Sequence, residues 1–183
     1  MEADKDSSSV RFLNKQLENH GGMGKIVSPE ELAKIVADLK KAGKKIVTTN
    51  GTFDLMHIGH VRSLLAAKQH GDILVLGLNS DSSVKQYKDD KRPVISQNER
   101  AELLASLSCV DYIMIFNEPD PRAFLEIVKP HVHVKSGDWS PEKMIETETV
   151  RKNGGEVKIV PFVGNFSTTN IINKIRDVYG NNS

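Results

Sequence analysis

The chain has almost no cysteine and almost no excess of charge. Its 183 residues contain one cysteine, Cys109, which excludes an intrachain disulfide and a zinc site made of several cysteines. Cys109 follows an apolar helical pattern, so we expect a buried small side chain rather than a nucleophile. The 25 Lys and Arg residues nearly balance the 24 Asp and Glu residues. Composition therefore gives no reason to expect nucleic acid or an acidic membrane as a partner, and any anion site must be local.

Long apolar runs are missing as well. The first ten residues are polar and acidic, so we expect no signal peptide, and no later stretch approaches the length that spans a bilayer. These absences predict a cytoplasmic protein without a membrane partner. The length predicts a single domain over residues 28–183, preceded by an N-terminal extension over residues 1–27. Within that extension we expect a disordered tail at residues 1–9 and a short helix at residues 10–19.

Short apolar runs and helical patterns alternate along the rest of the chain. The runs lie at residues 46–49, 73–78, 112–116, 132–135 and 157–161. The connections between them are too long for hairpins, so the pattern predicts an α/β, Rossmann-like, doubly wound parallel sheet of five strands with helices on both faces. In such sheets ligands bind at the carboxyl ends of the strands, near the switch in strand order.

Capping signals place the helices. Ser28-Pro29-Glu30-Glu31 predicts a helix over residues 28–42, whose apolar face would cover the sheet edge or an interface. A homodimer formed through this face is one hypothesis. Ser96 begins a second capping box, Ser140-Pro141 predicts a helix that ends at Asn153, and residues 167–169 begin the last helix.

The most informative stretch is residues 45–66, in which a strand, a glycine turn and a helix follow one another. This geometry directs backbone N–H groups and the positive end of a helix dipole at an anion. His57 and His60 lie one helical turn apart beside that point, and Gly59 would let a phosphate approach the backbone closely. From the residues alone, two alternatives stay open: a pair of metal ligands, and surface histidines without a task.

Other polar residues near the strand ends have two interpretations each. Lys88 and Arg92 would hold phosphates from a loop, or belong to a solvated basic loop. Arg100 opposes the dipole near a helix start, which indicates an anionic substrate or an ion pair. Trp139 would form an aromatic wall for a base, or pack in the core. Residues 167–169 would form a second phosphate site, or only an N-cap.

Several separated motifs carry a family resemblance. The stretch TNGTFDLMHIGHV resembles the HxGH signature of the nucleotidyltransferase superfamily, which includes cytidylyltransferases and heptose-phosphate adenylyltransferases. From about residue 26 to 175 the chain resembles the adenylyltransferase domain of bifunctional ADP-heptose synthases, the D-glycero-beta-D-manno-heptose 1-phosphate adenylyltransferase. Further matching stretches are GLNSDSSV, the loop with Lys88 and Arg92-Pro93, VKSGDW followed by SPE, NGGEV and STTNIINKI.

The resemblance implies an activity. It implies transfer of AMP from ATP to a heptose 1-phosphate, with release of pyrophosphate, to give ADP-heptose for lipopolysaccharide synthesis. The small-molecule substrates would be ATP and the sugar phosphate, and Mg²⁺ would arrive with the triphosphate, with phosphates and one or two carboxylates as its ligands. The kinase half of the bifunctional enzymes has no counterpart in this sequence, so we expect a separate sugar kinase upstream.

The resemblance also implies roles for individual residues. The catalytic residues would be His57, His60 and Lys88. The nucleotide-binding residues would be Thr52, Phe53, Gly59, His60, Arg92, Gly137, Asp138, Trp139, Ser167, Thr168 and Thr169. The substrate-binding residues would be Asp54, Asn79, Asp81 and Arg100, with Asp54 orienting the substrate or a histidine.

The chain departs from its relatives in three places. Ser136-Gly137-Asp138 stands for the family's Gly-Gly-Asp, and residues 145–149 lack a usual Gly-Ser, which affects sugar recognition. Residues 162–165 lack the arginine of glycerol-3-phosphate cytidylyltransferase, which argues against CTP. The alternatives are a cytidylyltransferase acting on glycerol 3-phosphate or another phosphorylated alcohol or sugar, and a non-catalytic nucleotide-binding module.

Overall fold

A computed structural model describes residues 24–88, 90–161 and 166–180. These residues build one six-stranded sheet in which every neighbouring pair of strands is parallel. The strands are β1 (Lys25–Ile26), β2 (Ile46–Gly51), β3 (Ile73–Asn79), β4 (Tyr112–Phe116), β5 (Val132–Ser136) and β6 (Glu156–Val160). Their order is β1-β4-β3-β2-β5-β6, and helices cover both faces. The predicted α/β, doubly wound class is confirmed.

The predicted number of five strands is one too low. Lys25 and Ile26 pair with Tyr112 and Ile113 at the edge of the sheet. A two-residue strand has no periodicity, so no pattern in the sequence indicates it. The sheet therefore begins before residue 28, inside the segment assigned to the extension. The predicted tail at residues 1–9 and the helix at residues 10–19 lie outside the described residues.

The helices of the described part begin largely where the capping residues predict. Both reciprocal bonds of the Ser28 box form, since Glu31 N donates to Ser28 Oγ at 3.2 Å and Ser28 N donates to Glu31 Oε2 at 2.9 Å. The helices are α1 (Pro29–Lys41), α2 (Ile58–Lys68), α3 (Asp81–Tyr87), α4 (Gln97–Ala105), α5 (Arg122–Val128), α6 (Glu146–Lys152) and α7 (Thr168–Tyr179).

One predicted helix is interrupted. Instead of a single helix from Ser140 to Asn153, a 3₁₀ turn (Pro141–Lys143) precedes α6. Met144 between them takes an extended backbone, with φ −87° and ψ 128°, and buries its side chain. The buried Met144 side chain lies where the predicted helix is interrupted, and α6 begins after it at Glu146.

Each face of the sheet packs on its own hydrophobic cluster. The first cluster joins the strands to α2 and α4 through residues such as Leu64 and Leu104, and the second joins them to α1, α5 and α6. Strand β3 contributes to both, which explains the continuous apolar run at residues 73–78. Cys109 is buried in the first cluster, and burial raises the pKa of its thiol, as expected for a core residue rather than a nucleophile.

The apolar face of α1 is used within the chain. Leu32 and Val36 are buried in the second cluster together with Leu125 and Val128 of α5. These contacts leave the homodimer hypothesis without support at this face, because the residues that would form the interface already pack internally. Separately, no helix in the described part is both long and apolar enough to cross a membrane.

The strand order places a crevice at the carboxyl ends of β2 and β5. The chain proceeds from β2 through β3 to β4 on one side and then returns to place β5 on the other side of β2. The carboxyl ends of β2 and β5 therefore flank the switch point, where open α/β sheets bind ligands. The loop from Thr52 to His57 follows β2 directly, and Gly137 follows β5.

Candidate active site

The loop between β2 and α2 is shaped by close contacts between its own side chains. Phe53 has a left-handed backbone with φ +48°, and its ring lies 5.2 Å from the imidazole of His60. A Cβ at Gly51 would come within 3.0 Å of the Phe53 ring. The glycine before the loop therefore makes room for the aromatic ring that supports His60.

His57 and His60 stack on one another at the start of α2. Their ring centroids are 3.9 Å apart and their planes differ by 18°. A Cβ at Gly59 would lie 2.9 Å from His57 Nδ1, so this glycine provides the space in which the His57 ring lies. We predicted that Gly59 makes room for a phosphate; in the described structure the space at its Cα is taken by an imidazole.

The environment keeps both imidazoles neutral at pH 7. Burial lowers the pKa of His57. For His60, burial, then the charge of His57, then that of Lys88 lower the pKa to about 4. Nδ1 of His60 faces the backbone N–H of His57 at 3.4 Å, which assigns the proton of the neutral ring to Nε2. In this tautomer Nε2–H of His60 can only donate, and its one basic nitrogen is turned towards the backbone.

Lys88 brings positive charge to the same place. Its ammonium lies 5.9 Å from the ring centroid of Tyr87, and its charge acts on His60. The hydroxyl of Tyr87 in turn makes a short hydrogen bond with Thr52 Oγ1. Three of the predicted site residues, His57, His60 and Lys88, are thus close enough to interact electrostatically.

Asp54 and Arg92 bind one another instead of facing outwards. The Asp54 side chain is 1% exposed and accepts hydrogen bonds from Arg92 Nε at 2.5 Å, Val94 N at 2.8 Å and Ile95 N at 3.0 Å. The carboxylate thereby ties the segment after Lys88 to the histidine loop. That Asp54 contacts substrate, and that Arg92 contacts nucleotide, stay predictions; the structure shows their role in holding this segment.

Arg100 is also engaged within the protein. Its side chain is fully buried, and the guanidinium donates to Asp81 Oδ1 at 2.8 Å, to Ile95 O at 3.0 Å and to the carbonyl of Thr52. The ion-pair interpretation therefore describes Arg100, and direct substrate binding by Arg100 and Asp81 stays a prediction. Through these bonds Arg100 joins the carboxyl ends of β2 and β3 to α4.

Four further predicted residues lie at or just after the carboxyl ends of β3 and β5. Asn79 is buried and donates to Ser83 Oγ at 3.0 Å. Gly137 follows β5 with φ +117°, Asp138 is exposed, and Trp139 is 57% exposed, so the core-packing interpretation of Trp139 is wrong. Its role as a wall for a base stays a prediction, as do the nucleotide-binding roles of Gly137 and Asp138.

The start of α7 lies beside the histidine loop. Ser167 Oγ accepts from Asn170 N at 3.1 Å, so the predicted N-cap is present. Thr168 Oγ1 donates to Leu55 O at 3.4 Å, which brings this helix start to the histidine loop, while Thr169 is exposed. Phosphate binding by these three residues stays a prediction.

Sequence reasoning missed two residues beside the histidines. Phe166 stacks on His57 with centroids 6.5 Å apart, and the guanidinium of Arg62 lies 5.7 Å from the Phe166 ring. Arg62 follows the H-I-G-H turn by two residues and is exposed. The sequence contained one signal for Phe166. It directly precedes the Ser167 cap, at a position where apolar side chains often pack against the first turns of the helix.

The assembled groups suit phosphate chemistry better than metal binding. They comprise two neutral imidazoles, one ammonium and the start of an eleven-residue helix. Among residues 24–88, 90–161 and 166–180 no group of three or more His, Cys, Asp or Glu side chains is arranged to hold a metal ion. Such donors bind and polarise phosphoryl oxygens.

Comparisons with known proteins agree with this geometry. A cytidylyltransferase-like family model matches residues 48–182. The chain is 52% identical over 156 residues to the bifunctional protein HldE of Geobacter metallireducens, and the match covers 85% of this chain and 32% of that protein. It is 48% identical over 162 residues to the HldE protein of Geobacter sulfurreducens, with 88% and 33% covered. The chain thus spans about a third of the length of the curated relatives it matches.

One solved structure shares both sequence and fold. The lipopolysaccharide core biosynthesis protein from Thermoplasma volcanium GSS1 is 31% identical, with a TM-score of 0.55. The similarity covers 68% of this chain and 100% of that chain. It therefore extends well beyond a single motif.

Proposed function

The chain belongs to the cytidylyltransferase-like family, and on this premise we propose that it transfers AMP from ATP to a heptose 1-phosphate with release of pyrophosphate. An oxygen of the sugar phosphate attacks the α-phosphorus of ATP. The bond from that phosphorus to the bridging oxygen breaks, and pyrophosphate takes the electron pair. The product is an ADP-heptose, a precursor for lipopolysaccharide or other surface glycans.

The observation that carries the proposal is the stacked, neutral histidine pair with Lys88 beside it. The nucleophile is supplied by the substrate, so the protein's task is to bring two anions together and to stabilise charge on the α-phosphate and the leaving pyrophosphate. His60 would donate from Nε2 to the α-phosphate. Among the described residues Nδ1 of His57 is buried without a hydrogen-bond partner, so this ring is held by its packing against Gly59 and His60.

The choice of ATP and heptose 1-phosphate rests on similarity. The relatives that match most of this chain are bifunctional HldE proteins, and the solved relative is named for lipopolysaccharide core biosynthesis. The motifs at residues 49–61 and 134–139 resemble those of heptose-phosphate adenylyltransferases. The alternative is a cytidylyltransferase, and pyrophosphate release with ATP or with CTP distinguishes the two activities.

Magnesium belongs to the proposal as a companion of the triphosphate. Mg²⁺ keeps several waters and is usually held by substrate phosphates and one or two carboxylates. In the described part of the chain no group of three or more His, Cys, Asp or Glu side chains could hold the ion by itself, which fits an ion carried mainly by phosphate oxygens. The metal would neutralise charge on the leaving pyrophosphate, while the histidines and Lys88 act on the remaining oxygens.

The cellular setting is proposed from the same resemblance. The acceptor must receive its phosphate from a kinase-type reaction, and we propose a separate sugar kinase for this step. A cytoplasmic location follows from the use of ATP and a sugar phosphate as substrates. Assembly as a homodimer is retained as a proposal that needs a measurement of mass in solution.

Pyrophosphate release tests the proposal directly. The purified chain with Mg²⁺ is incubated with ATP or CTP against heptose 1-phosphate, glycerol 3-phosphate and other sugar phosphates. We expect release with ATP and heptose 1-phosphate. Release only with CTP would establish the cytidylyltransferase alternative, and nucleotide binding without release for any acceptor would favour a non-catalytic module.

His60→Ala tests the role of the imidazole in turnover. We expect kcat to fall by about 100-fold, the scale of losing one preorganised donor to transition-state charge. His70→Ala is the matched control, because His70 lies beyond the far end of the same helix. A folded His60→Ala variant with a near-normal rate would remove His60 from the mechanism.

A further inference from the structure

A row of three polar side chains lies on the opposite side of β2 from the histidines. Lys135 Nζ contacts Glu146 Oε1 at 2.8 Å and Asn50 Oδ1 at 2.9 Å. The Lys135 and Glu146 side chains are 18% and 6% exposed. Three side chains from β2, β5 and α6 are therefore joined at the strand ends, and none of them belongs to the histidine site described above.

The row lies beside the switch point. In the sheet register Thr48 is opposite His133, which places Asn50 and Lys135 at corresponding positions two residues further towards the carboxyl ends. Asn50 directly precedes Gly51, the last residue of β2. Ile46 belongs to the cluster under α1 and α5, and alternation along β2 puts Asn50 on that same face.

Lys135 fixes the orientation of the Asn50 amide. An ammonium has only donors, so the atom that faces it must be the amide oxygen. Nδ2 of Asn50 is therefore turned away from Lys135, and no described residue accepts a hydrogen bond from it. The Asn50 side chain is only half-buried, so this N–H₂ group lies at a surface that a ligand can reach.

Glu146 stabilises this orientation of the Asn50 amide through its ion pair with Lys135. A buried ammonium without a counter-charge would be costly, and the carboxylate compensates it. Two charges that neutralise each other add little net attraction for an anion. The ion pair holds the Asn50 amide, a neutral donor, in one direction. Such a donor recognises particular oxygens rather than attracting negative charge in general.

We propose that the Asn50 amide N–H₂ binds an oxygen of the acceptor sugar phosphate at the β2–β5 crevice, with Lys135 and Glu146 as positioning residues. This inference rests on the proposed function. The histidines and Lys88 lie on the α2 side of β2 and act on the nucleotide phosphates. Asn50 lies at the end of the same strand on its other face, so a sugar phosphate held there would be adjacent to the nucleotide phosphates.

Asn50→Asp is the most informative variant, because it changes the hydrogen-bonding character of the side chain and little else. It keeps the size of the side chain and the contact with Lys135, but replaces the two N–H donors with an acceptor that repels phosphate. We expect KM for heptose 1-phosphate to rise about tenfold to a hundredfold, as for losing a hydrogen bond to a charged group, while KM for ATP stays within about threefold. Asn173→Asp, the same change on the exposed side of α7, is the control and should alter neither constant.

Two further variants separate positioning from folding. Lys135→Met and Glu146→Gln should raise KM for the acceptor by a smaller factor and leave KM for ATP unchanged, because they free the amide to rotate. Thermal melting of each variant checks that the fold persists, and Asn50→Ala provides a second folded variant if Asn50→Asp unfolds. A rise in KM for ATP alone, or no change in either constant, would overturn the assignment of Asn50 to the acceptor.

A binding measurement keeps this inference separable from the reaction. Calorimetry with heptose 1-phosphate and a non-hydrolysable ATP analogue should show acceptor binding to the wild type, weakened about tenfold or more in Asn50→Asp. Turnover by the wild type with unchanged acceptor affinity in Asn50→Asp would refute the role of Asn50 alone. Absence of both turnover and sugar-phosphate binding in the wild type would refute the proposed function, and the inference with it.

Discussion

At the scale of single residues, Gly59 determines where the His57 ring can lie. A Cβ at this position would come within 2.9 Å of His57 Nδ1 and 3.2 Å of Phe166 Cβ. We expect Gly59→Ala to displace the imidazole and to lower kcat about tenfold or more, because catalytic groups must keep their positions closely. Alanine favours helix by about 1 kcal/mol, which should offset the local strain, so the free energy of unfolding should change little.

Kinetics and urea unfolding of the same samples measure both expectations for Gly59→Ala. Ser63→Ala, on the same helix, is the matched control and should leave kcat unchanged. If Gly59→Ala turned over at the wild-type rate, the position of the His57 ring would not matter for the reaction.

Lys88 acts on His60 through its charge. That charge opposes protonation of the imidazole and is one cause of its pKa of about 4. Lys88→Met should therefore raise the His60 pKa towards its ordinary value of 6.5, only in part, because burial is the larger cause and remains. Histidine NMR signals followed across a pH titration give the pKa, and Lys85→Met, one turn earlier, is the control. An unmoved His60 pKa would mean that the ammonium is not held near this ring.

At the scale of elements, Asp54 ties the segment after α3 to the histidine loop. Asp54→Ala would leave the Arg92 guanidinium and the N–H groups of Val94 and Ile95 without their acceptor. We expect the free energy of unfolding to fall by about 3 kcal/mol, as for breaking a buried ion pair with its hydrogen bonds. Urea denaturation measures this, and Asp38→Ala is the control, since its pair with Lys41 is exposed and contributes little.

The same variant distinguishes two roles for Asp54. If the carboxylate only holds the loop, stability and activity should fall together, and KM for ATP should rise because Lys88 is no longer positioned. A variant of full stability that loses only acceptor binding would instead support the substrate-binding role that the family resemblance implies.

Sequence patterns predicted interactions between residues that are close in the chain, but not interactions between residues that are distant in it. The caps at Ser28 and Ser96, and the buried strand β3, depend on neighbours within a few residues, so local patterns predicted them. The contact of Lys135 with Asn50 joins residues 85 positions apart, and the bond between Arg92 and Asp54 joins residues 38 apart. Residue type alone did not indicate that Arg92 binds a carboxylate of the chain itself, and its contact with nucleotide stays a prediction.

At the scale of the whole molecule, one buried histidine links stability to pH. His133 is fully buried in the sheet, with Nδ1 2.8 Å from Thr48 Oγ1, and no described residue forms a hydrogen bond with its Nε2. Lys135 and Glu146 are the charged groups beside it. Burial first, and the charge of Lys135 second, lower the pKa of His133 to about 3. The folded protein therefore keeps this ring neutral under conditions in which the unfolded chain protonates it.

The sign of the effect follows from proton binding. Because the folded-state pKa lies below the unfolded value, the stability that His133 provides is complete above pH 6.5 and is lost as the pH falls towards 3. Each pH unit within that window should remove about 1.4 kcal/mol from the free energy of unfolding. His60, with its pKa of about 4, adds a loss of the same sign that is smaller because its ring is less buried.

Urea unfolding of the wild type and His133→Asn at several pH values between 7 and 4 separates the contribution of His133. Removing the imidazole should lower stability at pH 7 and make the dependence on pH shallower by about 1.4 kcal/mol per unit. His70→Asn, the same substitution at a partly exposed site, is the control. Parallel pH curves for the wild type and His133→Asn would mean that the buried ring accepts its proton as readily as it does in the unfolded chain, and that carboxylates elsewhere govern acid unfolding.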